Sequence, residues 1–345
     1  MKACVLESVG NIEYKEVEKP SIKEGEVLLR VRACGICSSD IPRIYKTGTY
    51  HFPTIPGHEF AGEIVDVSKE LDKNLIGKRA AVFPLLPCRK CPSCEIGEYA
   101  RCDNYNYFGS RCDGGFSEYL AVPYWNLVFF SDEIPYSTAA ICEPAAVAKH
   151  CVDAGKISIG DTVVIIGTGT IGLLAGFLAK IAGASNVIIV GHSKEKVDYA
   201  KQIGFESSIS SKDESIEKYI RSITHGKGAD VAIDCVGTSN AIENAIVSLK
   251  KGGQLVLTGN PDGNINIEKT IYWKILRNEL KISGTWNSSY NGEKNDWKTI
   301  LEFIENGDIP VDKLITHKYK LSEYEEALSI MKDKKEFYVK VMFEI

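Results

Sequence analysis

No apolar run in this chain is both long and unbroken. The longest, residues 162–181, is interrupted by Gly167, Gly169, Gly172 and Gly176 and carries Lys180 near its end, so it reads as strand, turn and helix rather than a membrane span. The first ten residues hold no basic segment followed by an apolar stretch, so no secretory signal is expected and the chain reads as cytoplasmic. Positive charge is not in excess. The 41 Lys and Arg face 46 Asp and Glu, and a net charge of −5 gives no reason to expect nucleic acid or an anionic membrane as partner. Internal repeats and low-complexity segments are lacking too.

Cysteine is plentiful. There are 11, an odd number, and without an export signal they are better explained as metal ligands or small buried residues than as disulfides. Four of them cluster. Cys88-x2-Cys91-x2-Cys94-x7-Cys102 supplies enough thiolates to close a tetrahedral shell around Zn2+ and leave no position for substrate, as a structural site does. An iron–sulfur cluster is the competing reading, since tight C-x2-C-x2-C runs serve there as well.

A length of 345 residues favours two domains over one core. Before about residue 130, short apolar runs at 27–32, 61–65 and 79–83 alternate with Gly, Pro and charge, as strands of an irregular β unit do. From Asp161 the rhythm changes. Strands at 162–166, 186–190, 231–234 and 254–257 alternate with helices at 171–182, 194–203 and 239–249, which predicts an α/β unit with a doubly wound parallel sheet. Past Gly284, two amphipathic helices and a terminal strand at 337–343 are expected. The expected domains are therefore a catalytic domain at 1–150 with a cysteine lobe near 85–105, a dinucleotide domain at 151–284, and a segment at 285–345 returning to the first.

Gly167-Thr168-Gly169-Thr170-Ile171-Gly172 follows an apolar strand and opens a helix. In that place the three glycines serve, in turn, a tight bend, backbone approach to a pyrophosphate, and close helix–strand packing. The helix N-terminus offers its free N–H groups to the phosphates. At the end of the next strand, where an NAD site usually carries Asp or Glu, stand Gly191, His192, Ser193 and Lys194. No carboxylate is there to repel a 2′-phosphate, Gly191 leaves room, and Ser193 and Lys194 offer a hydroxyl and a charge, so NADP(H) is expected over NAD(H). An ordinary solvated helix residue is the competing reading of Lys194.

A sparser constellation consists of Cys37, His58 in Gly57-His58-Glu59, and Glu143 before Pro144. One thiolate, one imidazole and one carboxylate leave a fourth position open, as a catalytic zinc needs. Spacing alone leaves a surface or supporting role open for each.

Taken together, Gly35-Ile36-Cys37-Ser38-Ser39-Asp40, Gly57-His58-Glu59, the four-cysteine lobe, Glu143-Pro144 and the Rossmann glycines resemble the zinc-containing medium-chain dehydrogenases almost end to end. Pro56-Gly57-His58-Glu59, Leu85-Leu86-Pro87-Cys88, Phe108-Gly109-Ser110-Arg111, Asp113-Gly114-Gly115-Phe116 and Lys274-Ile275-Leu276-Arg277 resemble that family's polyol dehydrogenases of the galactitol-1-phosphate type. The resemblance implies a GroES-like β-rich catalytic domain beside a Rossmann domain, with two Zn2+ per chain. It implies Cys37, His58 and Glu143 as catalytic-zinc ligands, Glu59 as an exchangeable ligand or inner partner, and Asp40 as the residue orienting His58. Cofactor contacts are implied at Thr170, Ile171, Cys235, Val236 and Gly259, and substrate contacts at Tyr50, Phe108, Trp286 and Asn287. Relatives of this kind pair as homodimers or homotetramers through their cofactor domains, for which residues 253–258 with 265–267 would provide an edge.

One departure stands out. The family often carries a histidine five residues after the ligand cysteine; here that place holds Pro42, followed by Arg43. The proton would then leave by Ser39, the cofactor ribose, Glu59 or water, and Arg43 could face a substrate phosphate. The implied reaction moves a hydride between a secondary alcohol of a polyol or polyol phosphate and the nicotinamide, giving a ketose. A non-phosphorylated polyol or small diol is the rival substrate. A zinc-ribbon nucleic-acid module on a vestigial cofactor fold is a remoter rival, opposed by the acidity and by the lack of a basic–aromatic stripe around 88–102.

Overall fold

A computed structural model describes residues 1–212 and 215–345. The chain divides into two compact units, Met1–Pro144 with Ser289–Ile345, and Ala145–Ser288.

The Ala145–Ser288 unit is built on a six-stranded parallel sheet. Its spatial order is Ile209–Ser210, Asn186–Gly191, Thr162–Ile166, Ala229–Asp234, Leu249–Leu257 and Lys281–Gly284. Thr162–Ile166 is buried at every position, as a strand flanked by pairs and covered on both faces must be. The winding reverses between Thr162–Ile166 and Ala229–Asp234, and the carboxyl ends of these two strands form the switch point where such sheets take dinucleotides.

The edge expected at residues 253–258 is not an edge. Leu249–Leu257 is paired on both sides, residues 265–267 form no strand, and the sheet ends instead at Ile209–Ser210 and Lys281–Gly284. An apolar run reports burial, and burial belongs to the middle of a sheet. Lys269–Arg277 is a helix that the sequence pattern does not announce, because none of its residues is buried and Tyr272, Trp273 and Leu276 are exposed.

The other unit is β-rich. Its main sheet runs Ile315–Lys320, Lys340–Glu344, Glu26–Ile36, Glu59–Val67, Arg79–Val82 and Leu127–Phe129, with Tyr119–Pro123 also pairing to Glu26–Ile36. The C-terminal strand therefore lies directly against the strand that leads into Cys37, with Val341 opposite Ile36. Helix Asp296–Glu305 buries Trp297, Ile300, Leu301 and Ile304, an apolar stripe of helical period. Trp297 meets Phe83 edge-on, and Phe83 stacks on Tyr290 with ring centroids 4.5 Å apart. Each such pair contributes about 0.5–1.5 kcal/mol beyond its buried area, so this cluster fastens the Ser289–Ile345 segment within its unit. Among the described residues no helix is long and apolar enough to cross a membrane.

Candidate active site

The strand Glu26–Ile36 delivers Cys37, and the short helical turn Asp40–Pro42 folds Asp40 back beneath it. The Cys37 N–H donates to Asp40 Oδ2 at 2.9 Å, while Arg43 Nη1 and His58 Nδ1 each lie 3.4 Å from Asp40 Oδ1. Asp40 is completely buried. Burial alone would raise its pKa, but His58 and Arg43 hold the carboxyl below its ordinary value. The His58–Asp40 contact has ion-pair distance without hydrogen-bond alignment, so buried Nδ1 has no hydrogen-bond partner. With Nδ1 turned to Asp40, Nε2 is the nitrogen left to bind a metal.

Donor atoms of Cys37, His58 and Glu59 all lie within 4.8 Å of one another. The donor set suits zinc: a thiolate, an imidazole and a carboxylate. So does the local field. Burial pushes the His58 pKa down, yet Asp40 and Cys37 bring it well above the usual imidazole value, so the hollow favours positive charge.

Glu143 stands outside that cluster of donors, in the first turn of the helix Cys142–Gly155. Its Oε1 accepts the Tyr107 hydroxyl at 3.2 Å. Burial lifts its pKa to about 7, with His58 opposing the rise and Glu59 adding to it. Burial and then Glu143 push the Tyr107 phenol well above its ordinary pKa, so Tyr107 remains a donor. Ser39 Oγ donates to Cys37 Sγ at 3.2 Å and accepts from Arg43 Nη1 at 2.9 Å. One lone pair of the hydroxyl is left for a ligand. Arg43 cannot take a proton from it, because a guanidinium is always charged.

The four lobe cysteines also come together, with donor atoms within 4.8 Å of one another. Cys88 and Cys94 sulfurs lie 4.0 Å apart, close to the ~3.8 Å edge of a tetrahedron with Zn–S bonds of about 2.3 Å. The Lys90 backbone N–H draws the Cys88 pKa down to about 7, towards the thiolate a metal needs. All 11 cysteines are free of disulfides.

In the other unit, Gly167 and Gly169 form the turn after Thr162–Ile166, and Thr170, Ile171 and Gly172 open the helix Thr170–Ile181. Gly167 has φ +126°, and a Cβ on Gly172 would collide with the Gly167 carbonyl. Cys235 and Val236 follow Ala229–Asp234, where the Cys235 N–H donates to Ile166 O at 3.0 Å and the Gly259 N–H to Asp234 O at 2.9 Å. His192, Ser193 and Lys194 are exposed beyond Asn186–Gly191, and Ser193 spends no side-chain bond on capping its helix. Gly191 is buried, and a Cβ there would meet Thr168 and Val197. Packing by itself therefore asks for a glycine at that position.

The substrate candidates separate. Tyr50 is 70% exposed, and its hydroxyl accepts from Arg111 Nη2 at 3.0 Å. Phe108 is buried, packs edge-on against Phe60, and belongs to the apolar core. Trp286 and Asn287 belong to the Ala145–Ser288 unit; Trp286 is exposed, and Asn287 Nδ2 is a buried donor without a partner. Two residues escaped the motif reading, Tyr107 and Lys340. Lys340 Nζ donates to both Glu59 oxygens, at 2.8 and 2.5 Å. Its one signal is a lone charge inside Tyr338-Val339-Lys340-Val341-Met342-Phe343.

Known proteins share the fold. Residues 170–306 match the zinc-binding dehydrogenase family, and residues 23–132 match the alcohol dehydrogenase GroES-like domain. Galactitol 1-phosphate 5-dehydrogenase of Escherichia coli (strain K12) is 32% identical over 330 residues, covering 95% of each chain. Sorbitol dehydrogenase of Bacillus subtilis (strain 168) is 31% identical over 348 residues, covering 99% of this chain and 96% of that one. The crystal structure of galactitol-1-phosphate dehydrogenase from Escherichia coli superposes with a TM-score of 0.92 at 31% identity and full coverage of both chains.

Proposed function

The chain belongs to the zinc-dependent medium-chain alcohol and polyol dehydrogenases, and from that premise we propose that it oxidises a secondary hydroxyl of a phosphorylated polyol to the ketose with NADP+. The observation that carries this reading is the Cys37–His58–Glu59 donor cluster, with Ser39 beside it. Cys37, His58 and one carboxylate, Glu59 or Glu143, would hold one zinc; Cys88, Cys91, Cys94 and Cys102 would hold a second. When bound, the catalytic metal acidifies the substrate hydroxyl as a Lewis acid and the nicotinamide accepts the hydride.

The chain's own residues do the rest. Asp40 orients His58. Ser39 offers its remaining lone pair to the substrate hydroxyl and so aligns it; since Arg43 cannot receive the proton, it would pass to the cofactor ribose, Glu59 or water. Arg43 spends only Nη1 on Ser39 and Asp40, which leaves Nη2 and Nε for a phosphate. Ser193 and Lys194 suit a 2′-phosphate, with Glu195, one residue on, the acidic residue in the first turn of that helix. Those same Nη1 bonds also favour the second reading, in which Arg43 only braces the site and the substrate is an unphosphorylated polyol such as sorbitol.

A panel of galactitol 1-phosphate, sorbitol, xylitol and 2,3-butanediol with both cofactors, with zinc analysis of the same sample, separates the readings. We expect the highest kcat/KM for the phosphorylated polyol with NADP+. Arg43→Leu should lower that value roughly a hundredfold more than the sorbitol value, as loss of a charge-assisted bidentate contact of about 3 kcal/mol implies. Equal losses, or a clear preference for NAD+ and sorbitol, would overturn the phosphate and NADP assignments.

The partner surface of this reading is a second copy. Lys281–Gly284 presents an unpaired parallel-sheet edge with Ile282 exposed, and Tyr272, Trp273 and Leu276 are exposed on the neighbouring helix Lys269–Arg277. Light scattering on the eluting protein should report a dimer or tetramer, and Ile282→Lys should shift it to monomer. A monomeric parent protein would contradict the pairing.

A further inference from the structure

Lys340 is buried to 3% exposure and Glu59 to 1%, deep in a β-rich unit where neither charge has access to water. An ammonium has three N–H donors. All three are engaged: Glu59 Oε1 at 2.8 Å, Glu59 Oε2 at 2.5 Å and the Ile36 carbonyl at 3.2 Å. The backbone registers explain the meeting. Val341 pairs with Ile36 on one side of the strand Glu26–Ile36, and Glu59 pairs with Gly35 on the other. The Glu59 carboxylate lies across the strand at Gly35, where any Cβ would collide with Oε2. A glycine clears the space and a lysine supplies the charge, so the resting place of this carboxylate is built from two sides.

That place is at the metal site, since a Glu59 oxygen lies within 4.8 Å of the Cys37 and His58 donors. Both oxygens are nonetheless held by Lys340. We propose that Lys340, with Gly35, is a latch that restrains Glu59 and so decides whether the last position of the metal shell goes to a protein carboxylate or to substrate. Lys340 is a positioning residue, acting through Glu59 without touching substrate. The proposal rests on the metal assignment above. Without the latch, Glu59 loses its counter-ion, and the strongest remaining one is the metal. The expected result is a metal held tighter and a substrate admitted less readily.

The test uses the full chain in its zinc and cobalt forms, with Lys340→Met and Gly35→Ala. The second variant keeps the ion pair's residues and crowds the carboxylate out of its resting place, so it remains informative if the first does not fold. Both should slow zinc release to a chelator roughly tenfold, the scale on which residues behind metal ligands act. Both should also shift the cobalt d–d bands towards a higher coordination number and raise KM more than they lower kcat. The double variant Lys340→Met/Glu59→Gln, which removes the freed charge, should return zinc release to the parent rate. If both single variants leave zinc release and the cobalt bands unchanged, and only the thermal midpoint falls, Lys340 is merely structural and the latch is wrong. A parent protein that holds metal at the four-cysteine lobe alone, so that Cys37→Ser loses no zinc and leaves the cobalt spectrum unchanged, would overturn the metal assignment, and the latch with it.

Discussion

Replacing Cys37 by serine should yield a folded protein that has lost one of the two zinc ions proposed for it and at least about a thousandfold in kcat/KM. The donor cluster at Cys37, His58 and Glu59 contains a single thiolate, and a serine hydroxyl at neutral pH is a poor substitute ligand. Lewis-acid activation of a hydroxyl contributes several kcal/mol, and about 4 kcal/mol corresponds to that thousandfold. Stability should change little, because Cys37 is only half-buried and lies outside the apolar core. Binding of the reduced nicotinamide cofactor, read by fluorescence, should persist, since Gly167, Gly169 and Gly172 sit in the other unit. Zinc analysis and turnover on one sample decide the matter; undiminished turnover in a protein with one zinc would refute the assignment.

Cys94→Ser should give the opposite pattern. Within residues 88–102 the only buried side chains are Cys91, Cys94 and Cys102, and the cluster they form is padded just by Cys88, Tyr99 and Tyr105. No aliphatic core exists to hold this lobe in the absence of a metal. Outside attachments are few: the Asn291 side chain donates to Gly97 O at 2.9 Å, and Arg89 lies 3.6 Å from the Trp125 ring centroid. In small domains closed by thiolates, metal binding of about 10–16 kcal/mol is the folding free energy itself. Losing even several kcal/mol should lower the apparent thermal midpoint by roughly 10 °C or more, at about 2–4 °C per kcal/mol for a unit of this size. One zinc should disappear, while turnover per folded molecule in the cold should stay near the parent value. An unchanged midpoint would mean the lobe is held by something other than its metal.

The parts of this molecule that could be read from sequence are those whose logic is local. The burial of Thr162–Ile166, the turn at Gly167 and the thiolate spacing of Cys88 to Cys102 each depend on neighbours a few residues away, so their patterns survive in the linear order of residues. The strand Leu249–Leu257 was recognisable, but its place in the sheet was not, since apolar content measures burial and says nothing about which strands flank it. Helix Lys269–Arg277 went unseen because its apolar residues face outward, which reverses the usual signal. In the active site the ligands belong to motifs, whereas the residues that restrain them do not. Tyr107 reaches Glu143 across 36 positions and Lys340 reaches Glu59 across 281. Contacts that long are decided by topology. The doubled role of Ser39, donating to Cys37 and accepting from Arg43, likewise depends on a fold in which the turn at Asp40 closes on the end of a strand.

The seating of Lys340–Glu344 beside Glu26–Ile36 also governs how the protein comes into being. Ala145–Ser288 is one uninterrupted stretch and can mature while the ribosome is still adding the residues after it. Its companion cannot close at that stage, because the strand seated between Glu26–Ile36 and Ile315–Lys320 is translated only after residue 288. Until Lys340 has been made, Glu59 lacks the ammonium that restrains it.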